Sequence, residues 1–286
     1  MIRFLLMRLL DVVLYIYGGK HNDTTSDIPD GDQESTTNQL AELRDSEYSE
    51  SGRGSERPPR AGDLERERDS APTSDASEVV VVSKSPFNGR LFGIVKSNEL
   101  GLHYWTRLDK NCRARDQKIT QIVVHTTGGN GGAEQVIRTL KNRDLGIHYI
   151  IADGSAFQCA DPEHTVTPHA GAVNGYSIGI EVRNPLTAAL PSAERGKRAD
   201  VVHGKKIKTT NVYSEDLLAL CFLVNHLCDQ YEIPKFVLDS DTDHPSHLAY
   251  HGVLAHYNIT RKKIDPGRRL MDDLSFFLAS IQDWAL

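Results

Sequence analysis

Three residues have the types and the spacing of a zinc site. His125 ends the run ITQIVVH and is followed by the turn-forming residues TTGGNGG, so we expect it at the end of a buried strand, where functional clefts often lie. His256 and Asp265 enclose a segment followed directly by proline and glycine, which can fold back and bring both side chains to one point. Two imidazoles and a carboxylate suit Zn²⁺ and leave a fourth position for water. Because water on zinc ionises near neutral pH, the chemistry of such a site would be hydrolysis.

Spacing alone leaves two alternatives open. A histidine at a strand end is often an ordinary core residue. His244, His247 and His251 form a second candidate metal cluster, because intervals of three and four place side chains on one face of a helix. Pro245 and the aspartates before it favour a loop there instead. A cysteine-based zinc module is excluded, since the four cysteines form no CxxC pair.

The elements that would position these residues alternate between strands and helices, which indicates an α/β domain of about 200 residues. We predict strands at 119–125 and 177–182, helices at 133–140, 214–231 and 269–284, and a hairpin that turns at Asp153 and Gly154. The polar and basic stretch 187–211 predicts a long surface loop.

The composition divides the chain into three parts. Residues 20–85 hold 16 acidic and 8 basic residues, a net charge of −8, and we predict a disordered acidic linker there. It separates an apolar segment, 1–19, from a folded domain at 86–286. Near the end of the linker range, the run EVVVV at 78–82 is either an edge strand of the domain or the last part of the linker. The net charge of the whole chain is −6, so the residues outside the linker have a net charge of −6 − (−8) = +2. A nearly neutral domain argues against nucleic acid as a partner.

The first nineteen residues leave the localisation open. Arg8 and Asp11 interrupt an apolar stretch of about 16 residues, whereas a membrane-spanning helix needs about 20. The alternatives are a secretory signal, a membrane anchor, or an amphipathic helix lying on a membrane or on the protein itself. We expect a monomer in the cell envelope or outside the cell rather than in the cytoplasm.

Four stretches occur in order between residues 119 and 267: IVVHTTGG, GIHYIIADGSAFQ, HAGAVNGYSIGIEV and AHYNITRKKIDPG. Together they resemble the zinc-dependent N-acetylmuramoyl-L-alanine amidases of type 2, a family of cell-wall amidases, phage endolysins and peptidoglycan recognition proteins. The resemblance implies a single mixed β-sheet flanked by helices. It also implies that Zn²⁺ is held by His125, His256 and Asp265. These fill all three metal positions of the family, whereas members that only recognise peptidoglycan typically lack a full set.

The resemblance further implies two catalytic residues, Glu181 in SIGIE and Lys263 two positions before the last ligand. Amide hydrolysis needs a base that takes a proton from water and passes it to the leaving amine, and a carboxylate beside the metal can do both. An ammonium group can stabilise the negative charge that develops on the carbonyl oxygen. The plainer interpretations are a structural carboxylate and a solvated lysine. Because spacing before the last ligand varies in the family, His251 is the alternative ligand.

Three further positions match places that line the substrate groove of the family, namely His148, His169 and Asn174. One position departs from the pattern, because some phage members carry a tyrosine where this chain has Ile147. We therefore expect the version of the mechanism that uses Glu181.

The function implied by the resemblance is hydrolysis of the amide bond between N-acetylmuramic acid and L-alanine in peptidoglycan. A peptidoglycan-binding protein without turnover is one alternative. A cytoplasmic amidase that recycles small muropeptides is another, and it would use the same residues without an anchor or linker. A phage or interbacterial lytic enzyme would differ in origin but not in chemistry.

Overall fold

The computed structural model describes residues 80–84, 91–185, 197–244 and 246–282. The apolar segment 1–19 and residues 20–79 of the linker lie outside these ranges and stay predictions. The helices are α1 (Ala133–Asn142), α2 (Ser214–Tyr231) and α3 (Arg268–Gln282). The strands are β1 (Val80–Lys84), β2 (Leu91–Lys96), β3 (Arg113–Ala114), β4 (Gln121–Gly128), β5 (Tyr149–Ala152), β6 (Ser155–Gln158), β7 (Thr165–Val166), β8 (Ser177–Pro185), β9 (Lys197–Val202), β10 (Lys205–Thr210) and β11 (Gly252–Ala255). None of the helices in the described ranges is both long and apolar enough to cross a membrane.

Seven strands form one mixed sheet in the order β1, β2, β6, β5, β8, β4, β11. Its central part is parallel, since β5, β8, β4 and β11 all run in the same direction. The hairpin of β5 and β6 and the edge pair of β1 and β2 are antiparallel. The predicted single mixed sheet flanked by helices is therefore confirmed.

The two faces of the sheet are covered by different helices, as parallel strands require. Ile122 and Val124 of β4 belong to the core cluster that α2 and α3 complete. Val123 contributes to a separate cluster with Ala170 and Val173. Because side chains alternate along a strand, His125 lies on the same face as Val123, away from α2 and α3.

The predicted hairpin is confirmed, and its turn has a clear physical basis. Asp153 and Gly154 have φ angles of 52° and 69°. Positive φ at both central residues is what a two-residue type I′ turn needs, and aspartate followed by glycine adopts it readily. Helix α2 likewise has the predicted bounds, with Glu215 and Asp216 in its first turn, where carboxylates favour the helix dipole.

The structure decides one open alternative and overturns one expectation. Strand β1 pairs with β2 at the edge of the main sheet, so residues 80–82 of the EVVVV run form an edge strand rather than the end of the linker. The stretch predicted as a surface loop at 187–211 instead contains the antiparallel hairpin of β9 and β10. Its turn is formed by His203 and Gly204, which both have positive φ.

A buried charge network joins β8, the β5–β6 turn and the start of α2. Arg183 donates two hydrogen bonds to Asp216 Oδ2, at 3.1 and 2.9 Å, and a third to Asp153. The Asp216 side chain is fully buried, and its other oxygen accepts the N–H of Gly154 at 2.7 Å. The Arg183 guanidinium also lies over the ring of Tyr213. Strand β8 is thus fixed next to the position where it carries Glu181.

Candidate metal centre

Three parallel strands bring the candidate residues to one edge of the sheet. In the pairing of β4 with β8, His125 lies directly opposite Glu181. In the pairing of β11 with β4, Ala255 lies opposite Val124, and His256 follows immediately. Side chains at paired positions of parallel strands point to the same face, and the carboxyl ends of such strands are where ligands bind in open α/β sheets.

His125, His256 and Asp265 meet with the spacing of metal ligands. Nδ1 of His125 lies 3.0 Å from Nδ1 of His256, which lies 3.1 Å from Oδ2 of Asp265. The third separation, from His125 Nδ1 to Asp265 Oδ2, is 3.7 Å. Zinc bonds of about 2.0–2.1 Å in a tetrahedron space any two ligand atoms by about 3.3 Å. The three donors therefore fit Zn²⁺, and in the described part of the chain they are the one group that could hold a metal ion.

Charge effects in this cluster favour the ligand forms of the side chains. Burial, followed by the neighbouring charge of His256, lowers the pKa of His125, so its imidazole is neutral. Burial opposes ionisation of Asp265, but the adjacent His256 and His125 outweigh this and hold the pKa of its carboxyl well below its ordinary value. Neutral imidazole and carboxylate are the forms that bind metals.

A chain of hydrogen bonds behind His125 sets which of its nitrogens faces the cluster. Ser177 Oγ donates to the carbonyl oxygen of Val173 at 2.8 Å and therefore accepts from Nε2–H of His169 at 3.2 Å. His169 then accepts at Nδ1 from Nε2–H of His125, also at 3.2 Å. The lone pair of His125 is left on Nδ1, the atom that faces the other two ligands. Such partners behind a ligand fix its tautomer and orientation.

His169 reaches this position because its surroundings leave room and hold its backbone. A Cβ atom at Gly179 would lie only 2.6 Å from Nδ1 of His169, so this strand position must lack a side chain. The Oδ1 atom of Asn174 accepts the backbone N–H groups of His169 and Ala170, at 3.2 and 2.6 Å. His169 and Asn174, expected in the substrate groove, thus have contacts that support the metal ligands, and a direct contact of either with substrate stays a prediction.

His148 does not line a groove, which corrects the expectation for this residue. Its side chain is fully buried, so no ligand can reach it in this structure. Nδ1 accepts the N–H of Gly179 at 3.0 Å, and Nε2 lies 3.0 Å from the carbonyl oxygen of Thr165. Burial, together with the nearby charge of Arg115, lowers the pKa of His148 to about 3. It is a neutral structural residue that joins strands behind the site.

Glu181 lies beside the cluster, opposite His125, and the charge of Lys263 reaches it. Burial raises the pKa of Glu181 to about 7, and the charge of Asp265 adds to this effect. The nearby side chain of His125 and the positive charges of Arg143 and Lys263 act in the opposite direction. A carboxyl with a pKa near neutrality can both accept and return a proton.

The competing histidines are not gathered into a metal site. His247 Nδ1 lies 2.7 Å from the carbonyl oxygen of His244, and His244 Nδ1 accepts the N–H of Ser246. His251, the alternative ligand, is exposed and is not part of the cluster. Nothing in the sequence marks Ser177, because its role depends on the contact of His169 with His125, two residues 44 positions apart that only the fold brings together.

A mixed sheet covered by helices, with a histidine of β4, the histidine that follows β11 and an aspartate of the segment before α3 gathered at one point, defines a candidate metal-dependent hydrolase. Residues 115–268, which are 154 of the 286 residues, match the family model described as N-acetylmuramoyl-L-alanine amidase. The chain belongs to this family, as its four sequence stretches predicted.

Several solved structures are similar to this chain at low identity. The endolysin amidase LysCS from Clostridium intestinale shares 20% identity over 63% of this chain and 94% of its own, with a TM-score of 0.40. A mutant endolysin from Bacillus subtilis shares 20% identity over 66% and 99%, with a TM-score of 0.42. The Drosophila peptidoglycan recognition protein SD shares 16% over 63% and 92%, with a TM-score of 0.40. A search of curated proteins finds no match.

Proposed function

We propose that this protein is a zinc-dependent amidase that hydrolyses the bond between N-acetylmuramic acid and L-alanine in peptidoglycan or its muropeptide fragments. One observation carries the proposal. Three ligand atoms at tetrahedral spacing lie beside Glu181, which the register of β8 and β4 places opposite the ligand His125. Family membership supplies the substrate class, and the donor set supports zinc.

Glu181 would act as the base and then as the acid of the reaction. A zinc ion with an open fourth position supplies a water nucleophile near neutral pH and polarises a carbonyl group. The Glu181 carboxylate takes one proton from the attacking water and delivers it to the leaving amine of L-alanine. Asp265 is assigned to the metal instead, and its low pKa makes it a poorer proton acceptor than Glu181.

Lys263 would stabilise the charge that develops during attack. The positive charge of Lys263, like that of Arg143, lowers the pKa of Glu181, so it acts on the charge of the proposed base. A positive charge fixed there stabilises an oxyanion more than the neutral carbonyl of the ground state, which lowers the barrier.

The test is mass spectrometry of peptidoglycan digested by the full-length protein. We expect free stem peptides with an L-alanine amino terminus, and loss of this product with a chelator, with recovery on adding Zn²⁺. Asp265→Ala should abolish release, whereas the control Asp229→Ala, which removes an exposed aspartate of α2 that pairs with Lys235, should not. Tight binding of the wall without any stem peptide would refute the amidase and leave a recognition protein.

A further inference from the structure

We propose that the β9–β10 hairpin positions the segment 263–269, which carries Lys263 and the metal ligand Asp265, and that His203 at its tip is a positioning residue. The hairpin pairs Lys197 with Thr210 at its open end and Val202 with Lys205 at its turn. Its effect on metal binding follows from these contacts alone, and its effect on catalysis rests on the proposed function.

The first contact is made by the tip of the hairpin. His203 Nε2 lies 2.8 Å from the carbonyl oxygen of Lys263, so this nitrogen carries the proton and donates. The backbone N–H of His203 donates to the carbonyl oxygen of Asp241 at 2.7 Å. The edge of the imidazole also meets the ring of Tyr257, at 6.3 Å between centroids. The tip is thereby fixed to three separate parts of the chain around the metal centre.

The second contact lies at the start of α3. Asp200 of β9 is 8% exposed, and its Oδ2 atom accepts the backbone N–H of Arg269 at 3.2 Å. Unsatisfied N–H groups and the helix dipole make a carboxylate favourable at this place. Gly267 adopts a φ of 87°, and a Cβ there would lie 2.8 Å from Asp200 Oδ2 and 2.9 Å from Thr209 Cγ2. The hairpin therefore packs directly against the backbone of the segment.

These two contacts bracket the metal ligand. Asp265 lies between Lys263, held by His203, and Arg269, held by Asp200. From the other side, the N–H of Tyr257 donates to the carbonyl oxygen of Asp265 at 3.1 Å. A short segment held at both ends and in the middle keeps its carboxylate in place, and a site loses function when its ligands drift by about 1 Å.

The hairpin itself is well anchored, so it can serve as a support. Val202 is fully buried in the core cluster that α2 and α3 share with the sheet, and Ile207 packs against that cluster. Lys206 of β10, which pairs with Val201 of β9, is exposed. Apolar residues thus attach the hairpin to the domain, while His203 and Asp200 make the polar contacts to the segment.

The test compares His203→Ala with His203→Gln in the full-length protein, with Lys206→Ala as the control on the same hairpin. The residue at this position has a φ of 53°, and alanine and glutamine both carry a Cβ there, as histidine does, so backbone strain is similar in all three proteins. The two variants differ in whether the side chain has an N–H group that can donate to the Lys263 carbonyl oxygen. The readouts are zinc affinity, by competition with a chelator, and hydrogen exchange of the amides of Tyr257 and Gly267. The latter amide donates within the segment, to the carbonyl oxygen of Ile264.

We expect His203→Ala to bind zinc about tenfold more weakly, as loss of a supporting contact typically does, and to exchange both amides faster. His203→Gln should restore much of the affinity, because its side-chain amide can donate to the Lys263 carbonyl, and Lys206→Ala should match the wild type. Wild-type zinc affinity and exchange in His203→Ala would overturn the proposal, as would an equal loss in Lys206→Ala. Neither readout requires peptide release, so the role of the hairpin can hold even in a protein that fails to cleave peptidoglycan. Failure of the hairpin proposal can therefore be distinguished from failure of the proposed amidase function.

Discussion

Removing the imidazole of His169 should weaken zinc binding, although His169 itself is not a ligand. In the structure it accepts the Nε2–H of His125 at 3.2 Å and thereby keeps the lone pair of that ligand on Nδ1. In His169→Ala, the Nε2–H group of His125 loses its hydrogen-bond acceptor, so the His125 ring can rotate or adopt the other tautomer. Loss of such a partner typically costs 10–100-fold in metal affinity, which corresponds to about 1.4–2.7 kcal/mol.

The assay is titration of the metal-free protein with Zn²⁺ in competition with an indicator of known affinity. His164→Ala is the matched control, because His164 is an exposed histidine paired with Asp161 rather than with a ligand. Ser177→Ala should give a smaller loss than His169→Ala, since it removes only the next link of the chain. His169→Gln should recover part of the affinity, because its side-chain oxygen can accept from His125.

A structural role alone would give a different result. It would lower the free energy of unfolding of the metal-free protein and leave the zinc affinity of the folded fraction unchanged. Wild-type affinity in His169→Ala would therefore refute the reasoning about the tautomer of His125, whatever happens to stability.

Three further outcomes follow from the charges described above. Glu181→Gln should lower kcat by about 10²–10⁴ while keeping the zinc affinity. In the wild type, kcat/KM should rise with pH as Glu181 loses its proton. The midpoint of this rise should lie below the pKa of about 7 that Glu181 has without metal, because a bound cation favours the carboxylate. Asp216→Ala should lower the free energy of unfolding by up to about 3–5 kcal/mol, because it removes two of the three hydrogen bonds of the buried Arg183 and the acceptor of the Gly154 N–H. Asp153→Ala, at the exposed end of the network, should cost less than about 1 kcal/mol in the same urea titration. The NMR signals of His148 should stay those of the neutral ring down to about pH 3. In the unfolded chain the same imidazole takes up a proton below about pH 6.5. Burying His148 in its neutral form should therefore stabilise the fold less and less as the pH falls from 6.5 towards 3.

Most strands and helices could be predicted, because local hydrophobic patterns determine them. For the candidate metal site, spacing left two sets of histidines open, and the resemblance to the amidase family favoured His125, His256 and Asp265, which the structure brings together. That Glu181 lies opposite His125 could not be predicted from spacing, because it depends on which strands are neighbours and on their register.

Two errors arose where the local sequence carries too weak a signal. The β9–β10 hairpin has few inward apolar residues, mainly Val202 and Ile207, so its period-two pattern is too weak to identify strands. His148 looks like a ligand-binding histidine, yet Arg115 and Thr165 come from other parts of the chain to enclose it. A polar residue that is fully satisfied by such partners leaves no mark in the local sequence.

The separation of the metal ligands along the chain has a consequence for protein synthesis. His125 and Asp265 are 265 − 125 = 140 residues apart, and the strand that precedes His256 pairs in parallel with the strand that contains His125. During translation, the first ligand leaves the ribosome long before the last, and domains form their long-range contacts only when all partners are available. A nascent chain therefore carries no assembled metal centre, and any hydrolytic capacity of this centre begins only after almost the whole domain has been made.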